Sequence, residues 1–140
     1  MSQENVEIVR RIYELWPTQQ WSLIPDYFDP DVELDLRRNV FNPDIYRGHD
    51  GVHKMLQGVN DMWNNFKIVP TEIIGGDDKV LATVRISGTG KESGVEVAME
   101  VMNVWAVHDS KVVRVIGGFR DRAEALEAAG LSGQDAHTDS

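Results

Sequence analysis

Apolar residues open the chain at helical spacing. Val6, Val9, Tyr13 and Trp16 share one stripe, and Ile8, Ile12 and Leu15 lie beside it, which is the wide face of a buried helix. Pro17 ends this helix. A second short helix follows, with Ser22 as N-cap, Pro25 in its first turn and Leu23, Ile24, Tyr27 and Phe28 as apolar residues. After Asp29-Pro30-Asp31 the period changes to two. Val32, Leu34 and Leu36 alternate with Glu33, Asp35 and Arg37 and predict the first strand. Arg38 to Arg47 contains Asn39, Asn42, Pro43 and Asp44, lacks a period and reads as a loop suited to act as a lid. From Asp50, taken as N-cap, helical spacing returns at Val52, Met55, Leu56, Val59, Met62, Trp63 and Phe66. Strands Ile68 to Ile74, Val80 to Thr89 and Val95 to Val107 follow in hairpin order, separated by Gly75-Gly76-Asp77-Asp78 and by Gly90 to Gly94. A last strand, Val112 to Phe119, leads into a helix over Asp121 to Ala129 that stops at Gly130. Ser132 to Ser140 is small and polar and reads as a disordered tail, so one domain spans 1–131.

Within the third of these strands, Val95, Val97, Met99, Val101, Asn103, Trp105 and Val107 share a face, and Asn103 alone is polar. An amide on a buried face must be paired or cost about 1–3 kcal/mol. Its partner is either a neighbouring loop or trapped water, in which case it only stabilises the sheet, or a ligand carbonyl or hydroxyl. A neutral amide orients and polarises but takes no proton. For the last hairpin, a two-residue turn at Asp109-Ser110 would set Trp105 against Arg114. A three-residue loop over His108 to Ser110 instead pairs Asn103 with Val115, Val101 with Gly117 and Met99 with Phe119, and is the register expected. It requires a left-handed residue near Ser110.

Composition narrows the partners. The 140 residues carry a net charge of -9, with no basic patch interleaved with aromatics, which argues against nucleic acid. The absence of cysteine excludes thiol chemistry and fits a reducing cytoplasm. The first twenty residues are charged and amphipathic and predict no signal peptide. No apolar run approaches the roughly 20 residues of a membrane span, so no membrane partner is expected.

Helices at the start and middle, then a meander of strands with one apolar side, predict an α+β domain with helices packed on one sheet face. At this point the chain resembles the SnoaL-like branch of the nuclear transport factor 2-like superfamily over residues 4–131. The resemblance is carried by the element order and by three segments: Tyr27-Phe28-Asp29-Pro30-Asp31-Val32, Tyr46-Arg47-Gly48-His49-Asp50-Gly51-Val52, and Val104-Trp105-Ala106-Val107-His108-Asp109-Ser110-Lys111-Val112-Val113. It implies a cone-shaped α+β barrel, a curved, mostly antiparallel sheet whose concave face is covered by the N-terminal helices and a long central helix, and commonly a homodimer. Relatives of this fold include ketosteroid isomerase, polyketide cyclases, scytalone dehydratase and limonene epoxide hydrolase. Matched onto this chain, the isomerase general-base aspartate falls at Leu36, its oxyanion tyrosine near Ile12 and its second oxyanion acid at Asn103. The cyclase acid/base aspartate falls at Gly117 and its histidine at Val115. These departures argue against carrying either mechanism over.

The expected ligand cavity is formed by Asn103 with Tyr13, Trp16, Leu36, Tyr46, Trp63, Met99, Val101, Trp105, Val115, Gly117 and Phe119, and Arg38 and His49 stand at its mouth. Its catalytic residues are left unassigned. No cofactor and no metal are expected, since His49 and His53 lack a third ligand. Gly88-Thr89-Gly90-Lys91 is a hairpin turn without the spacing of a P-loop. Asp35 with Arg37 or Arg38 reads as a surface ion pair or a guard of the mouth. On the opposite sheet face Arg85, Glu96, Glu100 and Arg114 form a charge lattice, while Met102, Val104, Ala106 and Ile116 make that face too apolar for open water and suggest the homodimer contact. Two functional readings follow. One is a cytoplasmic binder of a small apolar ligand, with a cofactor-independent isomerase, cyclase or hydrolase reaction allowed by the resemblance. The other is a non-catalytic carrier or dimerisation module.

Overall fold

The computed structural model describes residues 2–16 and 21–131, so the expectations for Pro17 and for the tail 132–140 lie outside the described residues. Helix α1, Ser2–Leu15, buries Val6, Val9, Ile12, Tyr13 and Leu15. In place of the Ser22-capped α-helix stands a 3-10 helix, Trp21–Tyr27, with Pro25 inside it. The ring removes one N–H from a segment already short, which suits the tighter, briefer helix. Strand β1, Phe28–Asp35, follows directly and tolerates Pro30 at an irregularity in its pairing between Phe28 and Glu33.

Two expectations around the central helix are corrected. Residues 45–47 form strand β2, Ile45–Arg47, rather than loop; three residues are too few for a period to register. Helix α2, Gly48–Met62, begins before Asp50, and Arg47 is its N-cap. Trp63 and Phe66 belong not to this helix but to strand β3, Trp63–Gly75. Asn65 has a φ of +54° where the pairing shifts between Asn64 and Lys67. The extra residue of a bulge reverses which face the next side chains take, so Trp63 and Phe66, at odd spacing, both pack on the core.

Strands β4, Lys79–Gly90, β5, Glu96–His108, and β6, Lys111–Phe119, complete a curved six-stranded sheet in the order β2-β1-β6-β5-β4-β3. Only β1 and β6 run parallel. Val95 lies before β5 and is 57% exposed, so the alternating buried face begins later than its pattern suggests. Helix α3, Arg122–Ala128, is capped by Asp121, which accepts from the N–H groups of Ala123 and Glu124, and the chain turns at Gly130 with φ +72°.

The register of β5 on β6 differs from the one expected. A two-residue turn closes the hairpin, with Asp109 and Ser110 both left-handed at φ +50° and +64°, the backbone of a type I′ turn. His108 and Val107 pair with Lys111 and Val112, and a shift then sets Ala106 against Arg114 and Trp105 against Val115. The bulge thereby removes the clash of faces that argued against the short turn. A second shift, at Gly117-Gly118, pairs Met102 with Phe119 and sends Phe119 to the outer face rather than the inner one.

The core has two parts. Helices α1 and α2 cover the inner sheet face, where Val80, Val84, Val101, Trp105 and Val115 lie. Helix α3 covers much of the outer face, packing Ala125, Leu126 and Ala129 on Ile74, Leu81, Met102, Val104 and Phe119. Met102 and Val104 are thus buried within the chain, and they no longer argue for a second copy on that face.

Candidate functional site

Between the inner sheet face, α1, the 3-10 helix and α2 lies a cavity of about 60 Å³. A water needs about 10–15 Å³ on such a measure and a benzene-binding cavity about 150 Å³, so this one has the size of a few waters and must yield to admit a ring. Its wall is apolar except at Tyr13, Asn39 and Asn103 and at the indole edges of Trp16 and Trp105. Met55, unbranched and adaptable, is the wall residue best suited to give way, and Phe41 lies in the wall on the loop between β1 and β2. Phe41 is buried against Trp63 and Phe66, at ring separations of 4.6 and 5.4 Å, and closes the cavity from the loop side.

Tyr13 is brought to Asn103 because α1 packs across β3 and β4 and the long tyrosine side chain reaches from there to the inner face of β5. Asn103 Nδ2 donates to the Tyr13 hydroxyl at 3.0 Å and Trp105 Nε1 donates to it at 3.1 Å. Trp105 also meets the Tyr13 ring edge-on, with centroids 5.4 Å apart. On its other side Asn103 Oδ1 accepts from the Gly118 N–H at 3.0 Å, which fixes the orientation of the amide. Two donors occupy the phenol oxygen, so its own proton is free to point elsewhere. Burial pushes the Tyr13 phenol well above its ordinary range, and the bonds from Asn103 and Trp105 only partly offset this. It is therefore a neutral donor at physiological pH.

Glycine is required beside this group. Gly118 has φ +92°, and a Cβ there would stand 2.8 Å from the Arg38 carbonyl carbon and 2.9 Å from the Asn39 nitrogen. A Cβ on Gly117 would meet Leu36 Cδ2 at 2.8 Å and Asn103 Oδ1 at 3.0 Å. The tight approach brings β1, the following loop and β6 together at the polar end of the cavity.

Of the residues assigned to the cavity from sequence, Tyr13, Trp16, Leu36, Asn103, Trp105 and Val115 line it. Val101 and Met99 pack in the same core without reaching the wall. Tyr46 donates from its hydroxyl to the Asn42 carbonyl, and Trp63 donates from Nε1 to Asn42 Oδ1, so both tie down the loop behind Phe41. Gly117 is crowded by Leu36 and Asn103, and Phe119 lies on the outer face with the Arg38 guanidinium 4.8 Å from its ring centre. Arg38 thus lies over Phe119 on the outer side rather than at a mouth. His49 Nε2 is 2.9 Å from the Phe28 carbonyl oxygen, to which it donates. Among the described residues no group of three histidine or carboxylate side chains could hold a metal ion, and Tyr13 is the one ionisable side chain in the lining. The tyrosine reaching Asn103 is Tyr13 itself, one position beyond the match at Ile12. Asn39 and Phe41 were not marked by sequence, because their loop has no period to place them.

Outside the cavity, Glu33 pairs with Arg47 and Arg114. Asp35, on the outer face of β1, is almost wholly buried and takes two bonds of 3.0 Å from the Arg37 guanidinium. These bonds hold its carboxyl at about 2, against an ordinary 3.8. A carboxyl with a lower pKa folded than unfolded stabilises the fold above the unfolded value, and the contribution is lost as pH falls toward the folded one. Urea midpoints should therefore drop between about pH 4 and about pH 2, and by less in Asp35→Asn. An equal drop in the variant refutes this role.

A family model described as SnoaL-like domain matches residues 9–115. No curated protein matches the sequence. Among solved structures, an NTF2-like protein of unknown function from Burkholderia pseudomallei is similar with a TM-score of 0.74 at 21% identity, covering 91% of this chain and 97% of its own. An NTF2-like protein from Burkholderia xenovorans gives 0.74 at 21% identity, over 92% and 97% of the two chains. A protein with a ketosteroid isomerase-like fold from Catenulispora acidiphila, in complex with trimethylamine, gives 0.71 at 14% identity, over 91% and 95%. At these identities the likeness is one of fold. Among the described residues no helix is long and apolar enough to cross a membrane.

Proposed function

We propose that this chain, which belongs to the SnoaL-like domain family, binds a small, largely apolar molecule through an oxygen atom that accepts hydrogen bonds from Tyr13 and Asn103. One observation carries the reading: a phenol whose oxygen already accepts two N–H groups, beside an amide with a second N–H to give, set in an otherwise apolar wall. Such donors hold and polarise a carbonyl, but neither accepts a proton at neutral pH. Among the described residues the lining supplies no carboxylate or histidine to act as base. Binding without an isomerase, cyclase or hydrolase step is therefore the reading favoured, and fold likeness does not weigh against it because one fold hosts many functions. A reducing cytoplasmic setting accords with a chain that has no cysteine.

The test is a thermal-shift comparison of cyclohexanone with methylcyclohexane, which have the same number of heavy atoms and differ in the acceptor oxygen. Ketone at about ten times its Kd adds roughly 1.4 kcal/mol to the folded state and should raise the Tm by a few degrees. Methylcyclohexane should raise it less. An equal response to the two compounds, or none to either, overturns the proposal.

A further inference from the structure

Asn39 lines the same cavity, and its Oδ1 is shut away from solvent with no hydrogen-bond donor on it among the described residues. A buried acceptor left in that state is costly, and the cavity that Asn39 lines is a space from which a donor can reach it. Its backbone leans on Gly118, where a Cβ would come within 2.9 Å of the Asn39 nitrogen, and the N–H of that same Gly118 bonds Asn103 Oδ1. The two asparagines therefore flank one glycine at one end of the cavity. Asn103 and Tyr13 offer protons there and Asn39 offers a lone pair.

We infer that Asn39 is a second polar anchor of the site and that the ligand group seated at this end is a neutral hydroxyl, of an alcohol or a phenol. A hydroxyl accepts from Tyr13 or Asn103 and donates to Asn39 Oδ1 at once. A ketone or an ether satisfies only the first half. A carboxylate would bring charge into an apolar wall that holds no cation and would leave Asn39 Oδ1 facing another acceptor. The inference rests on the binding proposal above and narrows its ligand class.

Calorimetric titration of the full chain with cyclohexanol, cyclohexanone and cyclohexyl methyl ether tests it. One further net hydrogen bond is worth about a five- to tenfold tighter Kd for the alcohol over both others. In Asn39→Leu and Asn39→Ala, checked for folding by circular dichroism, the alcohol should fall to the level of the ketone. Equal affinities in the wild-type protein, or a preference for the alcohol that survives both variants, overturns the anchor. Oxygen-dependent binding would stand in either case. Should neither variant fold, the wild-type ranking decides by itself, since the ketone has the same number of heavy atoms as the alcohol and lacks the donor. Failure of every oxygenated compound to exceed methylcyclohexane removes the binding proposal and the anchor with it.

Discussion

Replacing Val104 by glutamate is expected to abolish folding. Val104 is 3% exposed, beneath α3 and beside Leu81, Met102 and Phe119. The change removes an apolar contact and leaves a carboxylate in the cluster with no partner. An uncompensated buried charge costs about 3–5 kcal/mol and lost burial of the valine about 1.5–3 more, against a typical domain stability of about 5–15 kcal/mol. Far-UV circular dichroism should show a protein largely unfolded or melting tens of degrees lower. A folded, soluble Val104→Glu variant that sediments as a monomer would restore the valine to an interface between copies. A dimer through the outer sheet face has to use what α3 leaves open, around Val69, 53% exposed, and the neighbouring Arg85 and Glu100. That surface is mixed in charge, and it is where an interface variant belongs.

Asn103→Leu should cost less stability and more function. The leucine leaves the Gly118 N–H without its acceptor and takes one of two donors from the Tyr13 hydroxyl. With buried polar groups stranded at about 1–3 kcal/mol each, the loss comes to roughly 2–4 kcal/mol, readable as a lower urea midpoint at unchanged slope. The ketone-induced rise in Tm should vanish, since the amide that orients Tyr13 and offers its own N–H is gone. A destabilisation below about 0.5 kcal/mol would mean that the bond to Gly118 contributes little. A persisting ketone shift would remove Asn103 from the binding group.

Asn103 and Tyr13 could be placed from sequence because each sits in a long, regular element. Thirteen residues of alternation and fourteen of helical spacing leave little freedom of face. What escaped detection was every point where one extra residue changes the parity of a strand. Asn65 and then Thr71 re-phase β3, the residue between Val112 and Arg114 re-phases β6, and Gly117-Gly118 re-phases it again. A bulge has no composition of its own, although an asparagine or a glycine pair inside a strand is the trace it leaves. Helix α3 is legible in the sequence, but the sheet face that it covers is not. The helix's apolar face is built largely of alanines, too small to stand out in a pattern dominated by valine and leucine, yet close enough to the sheet to bury Met102 and Val104. Asn39 lay in an aperiodic loop, and only the fold shows that its Oδ1 is enclosed.

The crowding at Gly117 bears on how such a site can change over generations. Glycine and aspartate codons differ by a single base, so an acid at this position is always one mutation away. Yet the first atom of any side chain there would strike Leu36 Cδ2 at 2.8 Å and press on Asn103 Oδ1 at 3.0 Å. An acid at 117 therefore requires the far end of Leu36 to turn aside and the Asn103 amide to give ground, and the second of these moves disturbs the bond to Gly118. Positions 36, 103 and 117 are thus coupled, and what an acid at 117 costs depends on the side chains at the other two.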